Sequence, residues 1–348
     1  PALIFKFFKI AKNNFEIYDQ KTSDIRANYP TYKNKELSNQ IFFEQNKVTY
    51  KFRAYLGWKS DPLKTKYTNI LGKYNSRYSV NQSLNKSIWF FGGSTVWGTG
   101  VSDQNTIPSF FSKLTNKKVY NFGESGWTSR QSLNQLINLI GDGEIPKKVI
   151  FYDGINEVEH LCRANINDLP NYFYENRIKN QLFSNSVKLF SIKIKNFILE
   201  PYKKIAQNLS KTNVNNFAHS YNCDSDKDKS KRIAKHLITN WENAYLLAKS
   251  KNSSFLAILQ PTIFSSDVNF DYLEKNELRK FDRINKQFNA VYPVLIKEIK
   301  KVCEKDIEFC KTIKDGRFWL KNKENIFIDF FHVVDEGNKI IADKLSNI

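Results

Sequence analysis

The sequence predicts an α/β fold in which helices cover both faces of a central parallel sheet, giving a three-layer α/β/α sandwich. Short apolar runs at 88–91, 149–152 and 255–259 alternate with stretches of helical character. Strands that alternate with helices in this way form parallel βαβ units, and such sheets are buried on both faces. A chain of 348 residues that is 41% hydrophobic is long enough to bury a core of this size.

The first strand is predicted at 88–91, where the run Ile-Trp-Phe-Phe is followed by Gly92 and Gly93. A short apolar run that ends in two glycines is typical of a buried strand entering a tight turn. The elements predicted after it are a helix at 107–114, a strand at 118–122, a helix through 133–140, a strand at 149–152, a helix at 233–248, a strand at 255–259, a helix at 278–302, a strand at 326–328 and a helix through 340–345.

Two domain-level parts are predicted, residues 1–85 and residues 86–348. Residues 1–85 are polar and aromatic without a clean repeating period, and we interpret them as an N-terminal extension that packs on the core. Residues 86–348 carry the strand and helix alternation. Between about 160 and 235 this pattern decays into Asn- and Lys-rich sequence, which predicts an insertion or lid within the second part.

The chain is basic, with 54 Lys and Arg against 35 Asp and Glu and a net charge of +19. Such a charge favours any polyanion, but the lysines are scattered and no nucleic-acid-binding signature accompanies them, so no nucleic-acid partner is expected. No run of 18 apolar residues predicts a membrane span. The opening stretch 1–10 is either the tail of a removed signal or membrane anchor, or an amphipathic first helix.

The four cysteines contain no close pair of the CxxC kind, which argues against structural zinc and thioredoxin chemistry. They are Cys162, Cys223, Cys303 and Cys310. Cys303 and Cys310 are only seven residues apart and would suit a local disulfide in an oxidising compartment. Four unpaired buried thiols are the alternative.

Four segments place polar residues or glycines where strands of an open α/β sheet end, which is where such folds build their sites. Ser94 follows the two glycines of the first segment and is the candidate nucleophile. A serine hydroxyl attacks efficiently only when a base takes its proton, and His332 is the candidate base. Asp329, three residues earlier, is placed to accept the Nδ1 proton of His332 and leave Nε2 for Ser94. The segments are 91–95, 121–127, 153–157 and 329–332.

The other three histidines, at positions 160, 219 and 236, have no comparable setting, and we interpret them as surface or packing residues. The backbone N–H groups of Ser94 and Gly126 and the side-chain amide of Asn156 are candidate oxyanion donors. Trp97 and Trp127 lie close to these residues in sequence. Each is a candidate wall on which a sugar ring stacks, with core packing as the alternative.

These four segments resemble the sequence blocks of the SGNH hydrolases, also called GDSL-like esterases. Ser94 matches the nucleophile of the first block, Gly126 the oxyanion glycine of the second, and Gly154-Ile155-Asn156-Glu157 the Gly-x-Asn-Asp block. Asp329 to His332 matches the Asp-x-x-His block. The resemblance covers roughly residues 87–160 and 253–348 and implies a flavodoxin-like sheet.

Two departures from the family pattern stand within these blocks. Gly93 replaces the usual Asp before the nucleophile, and Glu157 replaces the second Asp of the third block. The loop-supporting roles of those carboxylates are therefore in question. The nucleophile elbow of α/β-hydrolases, Gly-x-Ser-x-Gly, is a worse match because Val96 occupies its last position.

The resemblance implies a serine esterase that hydrolyses acyl esters through a Ser-His-Asp acyl-enzyme. The similarity is to bacterial envelope members that act on acylated saccharides, which implies an O-acetyl ester substrate and favours a location outside the cytoplasm, with a cytoplasmic one open. An O-acyltransferase acting on a glycan and an inactive glycan-binding module are the alternatives. No P-loop, dinucleotide or zinc motif is present, so neither cofactor nor metal is expected.

Overall fold

The computed structural model describes residues 24–164, 166 and 220–348. Its strands are β1 (Tyr50–Arg53), β2 (Gly57–Ser60), β3 (Leu63–Lys64), β4 (Asn69–Leu71), β5 (Ser76–Arg77), β6 (Ile88–Gly92), β7 (Val119–Asn121), β8 (Lys148–Asp153), β9 (Ser254–Leu259) and β10 (Ile313–Asp315). Its helices are α1 (Lys35–Gln45), α2 (Ser94–Trp97), α3 (Ile107–Thr115), α4 (Ser129–Gly141), α5 (Ile155–Leu161), α6 (Lys227–Ser250), α7 (Lys275–Lys305), α8 (Ile307–Lys311) and α9 (Asp335–Ser346). Short 3-10 helices lie at Ile25–Asn28, Asp103–Asn105 and Ile263–Ser265.

Eight strands form one sheet in the order β10-β9-β8-β6-β7-β5-β4-β3. The five strands β6 to β10 are parallel to one another and, counted in chain order, lie as 2-1-3-4-5. This is the strand order of flavodoxin-like sheets. Between the parallel strands, α3 and α9 pack together on one face of the sheet, and α4, α6 and α7 pack together on the other. The predicted α/β/α fold class is therefore confirmed.

The central strands are apolar along their length because helices cover both faces of the sheet. Trp89 and Phe90 of β6 and Phe151 of β8 are completely buried. Phe91 stacks on Phe122 with their ring centroids 5.1 Å apart, which fills the space between neighbouring strands. This packing fixes the carboxyl ends of β6, β7 and β8, where the candidate site residues follow.

One predicted strand is wrong. Residues 326–328 are buried but form a folded-back loop, with a single bridge between Phe327 and Val333, and not a strand of the sheet. The fifth parallel strand is β10, in which Ile313 is the one buried residue. Because β10 lies at the edge of the sheet, it needs only one inward apolar side chain and therefore leaves no apolar run in the sequence.

The segment before β6 contributes more than a packed extension. β3, β4 and β5 continue the sheet in antiparallel orientation beyond β7, through the pairing of Arg77 with Asn121. β1 and β2 form a separate hairpin. These strands are two to four residues long and largely polar, so they carry no strand pattern in the sequence. The possible amphipathic helix at 1–10 lies outside the described residues.

Both cysteine pairs are bonded. Cys303 and Cys310 form the local bridge, and Cys162 pairs with Cys223, 61 residues away. The second pair joins the end of α5 to the segment before α6, so it ties together the two ends of the predicted insertion, most of which lies outside the described residues. Across the described ranges, no helix has both the length and the apolar character needed to cross a membrane.

Candidate active site

The parallel strands β6, β7 and β8 bring Ser94, Gly126 and Asn156 to one edge of the sheet, because the carboxyl ends of parallel strands lie on the same side. Ser94 directly follows the β6 turn and is the first residue of α2. Gly126 lies in the loop after β7, and Asn156 lies in the first turn of α5, after β8. The fourth segment lies in the loop that precedes α9.

Ser94, His332 and Asp329 form one hydrogen-bonded chain. The Ser94 Oγ atom lies 2.7 Å from Nε2 of His332. On the other side of the ring, Nδ1 lies 2.7 Å from Oδ2 and 2.9 Å from Oδ1 of Asp329. Since the carboxylate can only accept, Nδ1 carries the proton and Nε2 accepts from the serine hydroxyl. This is the geometry that a serine nucleophile requires of its base and orienting acid.

The loop that carries Asp329 and His332 is closed by its own hydrogen bonds. Oδ1 of Asp329 accepts the backbone N–H groups of Phe331 at 2.9 Å and His332 at 2.8 Å. The backbone N–H of Ile328 donates to the carbonyl oxygen of His332 at 2.9 Å, which completes the turn. The three-residue spacing thus places the carboxylate under the imidazole, as the sequence argument expects.

Arg26 is part of this site, although the sequence gives no sign of it. Its Nη1 donates to Oδ2 of Asp329 at 2.8 Å, across 303 residues of chain. Burial acts to raise the pKa of Asp329, but His332, Arg26 and the backbone N–H donors outweigh it and hold that pKa well below its usual range. Asp329 therefore stays ionised beside the imidazole.

The candidate oxyanion donors have hydrogens to offer. Within the described part of the chain, the backbone N–H groups of Ser94 and Gly126 donate to no protein acceptor. Ser94 is the first residue of α2, where backbone N–H groups lack intrahelical partners. One hydrogen of the Asn156 amide is used, because Nδ2 donates to the carbonyl oxygen of Trp127 at 2.7 Å, and the other is left for a ligand.

Gly93 lies where the structure leaves no room for a side chain. A Cβ atom on residue 93 would overlap the side-chain amide of Asn156 and come within 3.3 Å of the carbonyl oxygen of Trp127. Glycine is therefore required while Asn156 holds this position. The backbone of residue 93 and the amide of Asn156 lie in direct contact beside the nucleophile.

Glu157 supports two loops of the site through its carboxylate. Its carboxylate is completely buried and accepts the backbone N–H of Ser129 at 2.5 Å and that of Gly154 at 3.0 Å. The longer side chain thus joins the start of α4 to the turn after β8. The carboxylate at this position keeps a loop-supporting contact.

The loop around Gly126 is held by the β1–β2 hairpin. Glu124 is buried, and its carboxylate accepts the backbone N–H of Ser60 at 3.1 Å and the Ser60 hydroxyl at 2.5 Å. Lys59 adds a buried ion pair, with Nζ 3.0 Å from Oε2 of Glu124. Trp58 donates from its indole to the carbonyl oxygen of Ser125 at 2.9 Å. The β1–β2 hairpin lies outside the four family-like blocks, and it fixes the second block, residues 121–127.

The predicted sugar-stacking role of Trp97 and Trp127 is wrong, and the core-packing alternative holds. Their exposed fractions are 3% and 1%. The guanidinium of Arg77 lies 4.4 Å from the centroid of the Trp97 ring. Trp127 packs with Leu56 and Trp58 and donates from its indole to the carbonyl oxygen of Trp58 at 3.1 Å. Neither ring presents a face on which a sugar could stack.

The other two histidines in the described ranges, His160 and His236, lie on helices and not in the triad loop. His160 is buried on α5 beside Glu159, and His236 lies on α6, where burial and the nearby Arg130 lower its pKa to about 4. His219 lies outside the described residues. In the described ranges, no group of three or more His, Cys, Asp or Glu side chains is arranged to hold a metal ion.

A cavity of about 450 Å³ adjoins the site and is lined by Asp329 and Phe331 of the triad loop. Tyr221 is part of its wall, with the guanidinium carbons of Arg163 and Arg283 at 5.8 and 5.6 Å from the ring centroid. Its charged groups include two ion pairs, Arg163 with Glu159 at 2.5 Å and Lys280 with Glu277 at 2.7 Å. The wall thus presents aromatic faces together with donors and acceptors held in place.

No family model matches the sequence, and a search of curated proteins finds no match. Solved structures with similar folds include a lipolytic protein of the G-D-S-L family from Veillonella parvula, at 13% identity and a TM-score of 0.42, covering 75% of this chain and 96% of that chain. A GDSL-like lipase from Bacteroides thetaiotaomicron matches at 15% identity and a TM-score of 0.37, covering 75% and 86%. An acetyl xylan esterase from Butyrivibrio proteoclasticus matches at 10% identity and a TM-score of 0.38, covering 83% and 65%.

Proposed function

We propose that this chain is a serine ester hydrolase of the SGNH type, with Ser94 as nucleophile, His332 as base and Asp329 as the acid that orients the base. The observation that carries the proposal is the hydrogen-bonded chain from Ser94 Oγ through both ring nitrogens of His332 to Asp329. The four sequence blocks support the same assignment independently of the distances. The reaction class is acyl transfer from an ester to water.

In the first step Ser94 Oγ bonds to the ester carbonyl carbon while Nε2 of His332 takes the hydroxyl proton. The tetrahedral intermediate collapses, the bond to the alcohol oxygen breaks, and His332 returns the proton to that oxygen. Water then attacks the acyl carbon while His332 takes one of its protons. The bond from that carbon to Ser94 Oγ breaks, His332 returns the proton to Oγ, and the carboxylic acid is released. Asp329 stabilises the imidazolium that forms in both steps.

Negative charge develops on the carbonyl oxygen in each tetrahedral intermediate and needs donors that are already in place. The free N–H groups of Ser94 and Gly126 and the remaining amide hydrogen of Asn156 are the proposed donors. The β1–β2 hairpin and Glu157 support these donors by fixing the loops that carry them.

The proposed substrate is an O-acetyl ester on a saccharide, whose sugar part occupies the cavity beside Asp329 and Phe331. Sugars present hydroxyl groups, which both donate and accept, around rings with apolar faces. A cavity lined by Tyr221 and by arginine and glutamate side chains fixed in ion pairs matches this chemistry without ordering many groups on binding. Its volume is within the usual range of small-molecule sites.

Steady-state kinetics on two substrates test both the esterase activity and the saccharide assignment. p-Nitrophenyl acetate reports on the triad alone, and acetylated xylo-oligosaccharides report on the cavity as well. We expect Tyr221→Ala and Arg283→Ala to raise KM for the oligosaccharide about tenfold, which corresponds to about 1.4 kcal/mol, and to leave p-nitrophenyl acetate kinetics unchanged. Tyr55→Ala is the matched control because Tyr55 is 81% exposed and does not line the cavity.

The outcomes separate the alternatives. No hydrolysis of either substrate by the wild-type protein would contradict the esterase proposal and favour an inactive glycan-binding module. Hydrolysis of both with no effect of the cavity variants would contradict the saccharide assignment only. Acetate that appears on an added oligosaccharide acceptor, and not in solution, would identify an acyltransferase, because the acyl-enzyme is the same and a sugar hydroxyl replaces water.

A location in an oxidising compartment outside the cytoplasm is proposed on the two disulfides, Cys162–Cys223 and Cys303–Cys310. Peptide mapping of native material without reductant is expected to find both crosslinked pairs. Free thiols at all four positions would contradict this location.

A further inference from the structure

We propose that Arg26 is a positioning residue of the active site, which orients the carboxylate of Asp329 and limits how strongly that carboxylate holds a proton on His332. The inference rests on the proposed esterase function. It assigns a role in the reaction to the residues that precede the four family-like blocks. Those residues contain no sequence motif.

The guanidinium of Arg26 is held in place by contacts other than its hydrogen bond to Asp329. Its Nε and Nη2 donate to the two carboxylate oxygens of Asp24 at 3.0 and 2.7 Å, a two-point contact that sets the plane of the group. The ring of Phe42 lies 5.0 Å from the guanidinium carbon. Because the guanidinium is planar and rigid, these contacts also decide where Nη1 points, and it points at Oδ2 of Asp329.

Asp329 uses Arg26 to complete its hydrogen bonds. Oδ1 accepts two backbone N–H groups of its own loop, so that oxygen is held by the turn. Oδ2 is the oxygen closer to Nδ1 of His332, at 2.7 Å, and its other partner is Nη1 of Arg26. Within the described ranges, Arg26 and His332 are the two basic side chains that pair with Asp329. Without Arg26, Oδ2 would depend on the imidazole alone for its position.

The charge of Arg26 acts on the same pair. A carboxylate beside the imidazole stabilises the imidazolium, and a guanidinium on that carboxylate opposes this effect. Removing the guanidinium therefore favours the protonated ring. The imidazole then stays protonated, and cannot act as a base, up to a higher pH. The orientation of the carboxylate is lost at the same time, which lowers turnover at every pH.

Other ionisable groups surround this contact without bonding to Asp329. On the segment of Arg26 these are Asp24, Tyr29 and Tyr32. On the cavity walls and α9, the acidic ones are Glu159, Glu274, Glu277 and Asp335, and Glu159 and Glu277 are ion-paired with Arg163 and Lys280. Arg283 adds one more cation on the far wall. Arg26 is the charge in direct contact with the triad carboxylate, so its removal has the largest effect.

The test is the pH dependence of p-nitrophenyl acetate hydrolysis, with rates normalised to active sites titrated by a fluorophosphonate. For Arg26→Gln we expect kcat to fall about tenfold or more, since misplaced catalytic groups are costly, and the acid limb to move up by about one pH unit. Arg26→Lys keeps the charge but loses the two-point contact, so its acid limb is expected near that of the wild type, with a lower kcat. Arg317→Gln is the matched control, because Nε and Nη2 of Arg317 donate to the two carboxylate oxygens of Asp315 in the same way, outside the triad.

An acid limb of Arg26→Gln that coincides with that of the wild type would overturn the proposal, because a merely structural role changes the amount of active protein and not the pH of the limb. If Arg26→Gln does not fold, Arg26→Lys decides, and a wild-type kcat in that variant would also overturn it. A wild-type protein that neither reacts with the fluorophosphonate nor hydrolyses the ester would contradict the esterase function itself.

Discussion

The side-chain amide of Asn156 lies in the space that a Cβ atom on Gly93 would need. The same amide donates to the carbonyl oxygen of Trp127 at 2.7 Å, so one side chain touches the turn before the nucleophile and the loop that follows Gly126. The Asn156 amide is therefore positioned against the segments that carry the other two proposed donors, Ser94 and Gly126. A side chain at residue 93 would displace this amide.

Gly93→Ala is expected to displace the Asn156 amide and lower kcat for p-nitrophenyl acetate about 10²-fold, since small displacements of catalytic groups have effects of this size. Gly141→Ala is the matched control, because a Cβ atom on Gly141 meets nothing within 4 Å. The measurement is kcat per titrated active site for both variants. Equal kcat values for Gly93→Ala and the wild type would contradict the steric account of this position.

Asn156→Ala tests the oxyanion role of the amide directly. A donor that binds the transition state more strongly than the ground-state carbonyl changes kcat with little change in KM, and its loss is expected to cost about 10²- to 10³-fold in kcat. The lost hydrogen bond to Trp127 adds a stability cost of about 1 kcal/mol. An unchanged kcat with a lowered thermal midpoint would assign Asn156 a purely structural role.

Lys59→Met tests whether the hairpin holds the oxyanion loop. The variant leaves Glu124 buried without its cation, and breaking a buried ion pair by removing one partner typically costs about 3 to 5 kcal/mol. Lys51→Met is the control, because Lys51 is 66% exposed and pairs with Asp61 at the surface. Urea unfolding of both variants gives the comparison. A loss of less than about 1 kcal/mol in Lys59→Met, as in a surface pair, would show that the loop does not depend on this contact.

Asp329→Asn tests the sign of the electrostatics in the triad. The folded state holds the pKa of Asp329 below its usual range, so the ionised group stabilises the fold above the unfolded-state pKa of about 3.9. This contribution is lost as the pH falls toward the folded-state pKa. The difference in unfolding free energy between the wild type and Asp329→Asn is therefore expected to be larger at pH 6 than at pH 3, by chemical unfolding. A difference that grows at the lower pH would mean that Asp329 is not stabilised as an anion.

The parts of the fold and site that sequence reasoning found are those with a local signal. The buried strands β6, β8 and β9 are continuous apolar runs, and the Ser94 turn is a Gly-Gly-Ser step at the end of such a run. Asp329 and His332 are three residues apart, and their mutual geometry is set by the backbone of one short loop. The geometry of each of these can be inferred from neighbouring residues alone.

The parts that it missed depend on contacts between distant segments. Arg26 reaches Asp329 across 303 residues, and nothing in the sequence around position 26 distinguishes it from the other arginines. Lys59 and Glu124 are likewise brought together only by the fold. The burial of Trp97 and Trp127 follows from the hairpin and from Arg77, which the pattern of the site segments does not include.

The most direct test of the central claim is peptide mass spectrometry of the protein after reaction with a fluorophosphonate probe, which bonds to activated serine hydroxyls. We expect a single adduct on Ser94 in the wild-type protein, no adduct in Ser94→Ala, and slow labelling in His332→Ala because the hydroxyl then lacks its base. Ser94→Ala is also expected to lose hydrolysis of p-nitrophenyl acetate while keeping its thermal midpoint. An adduct on a different residue, or full labelling of Ser94 in His332→Ala, would contradict the proposed catalytic site.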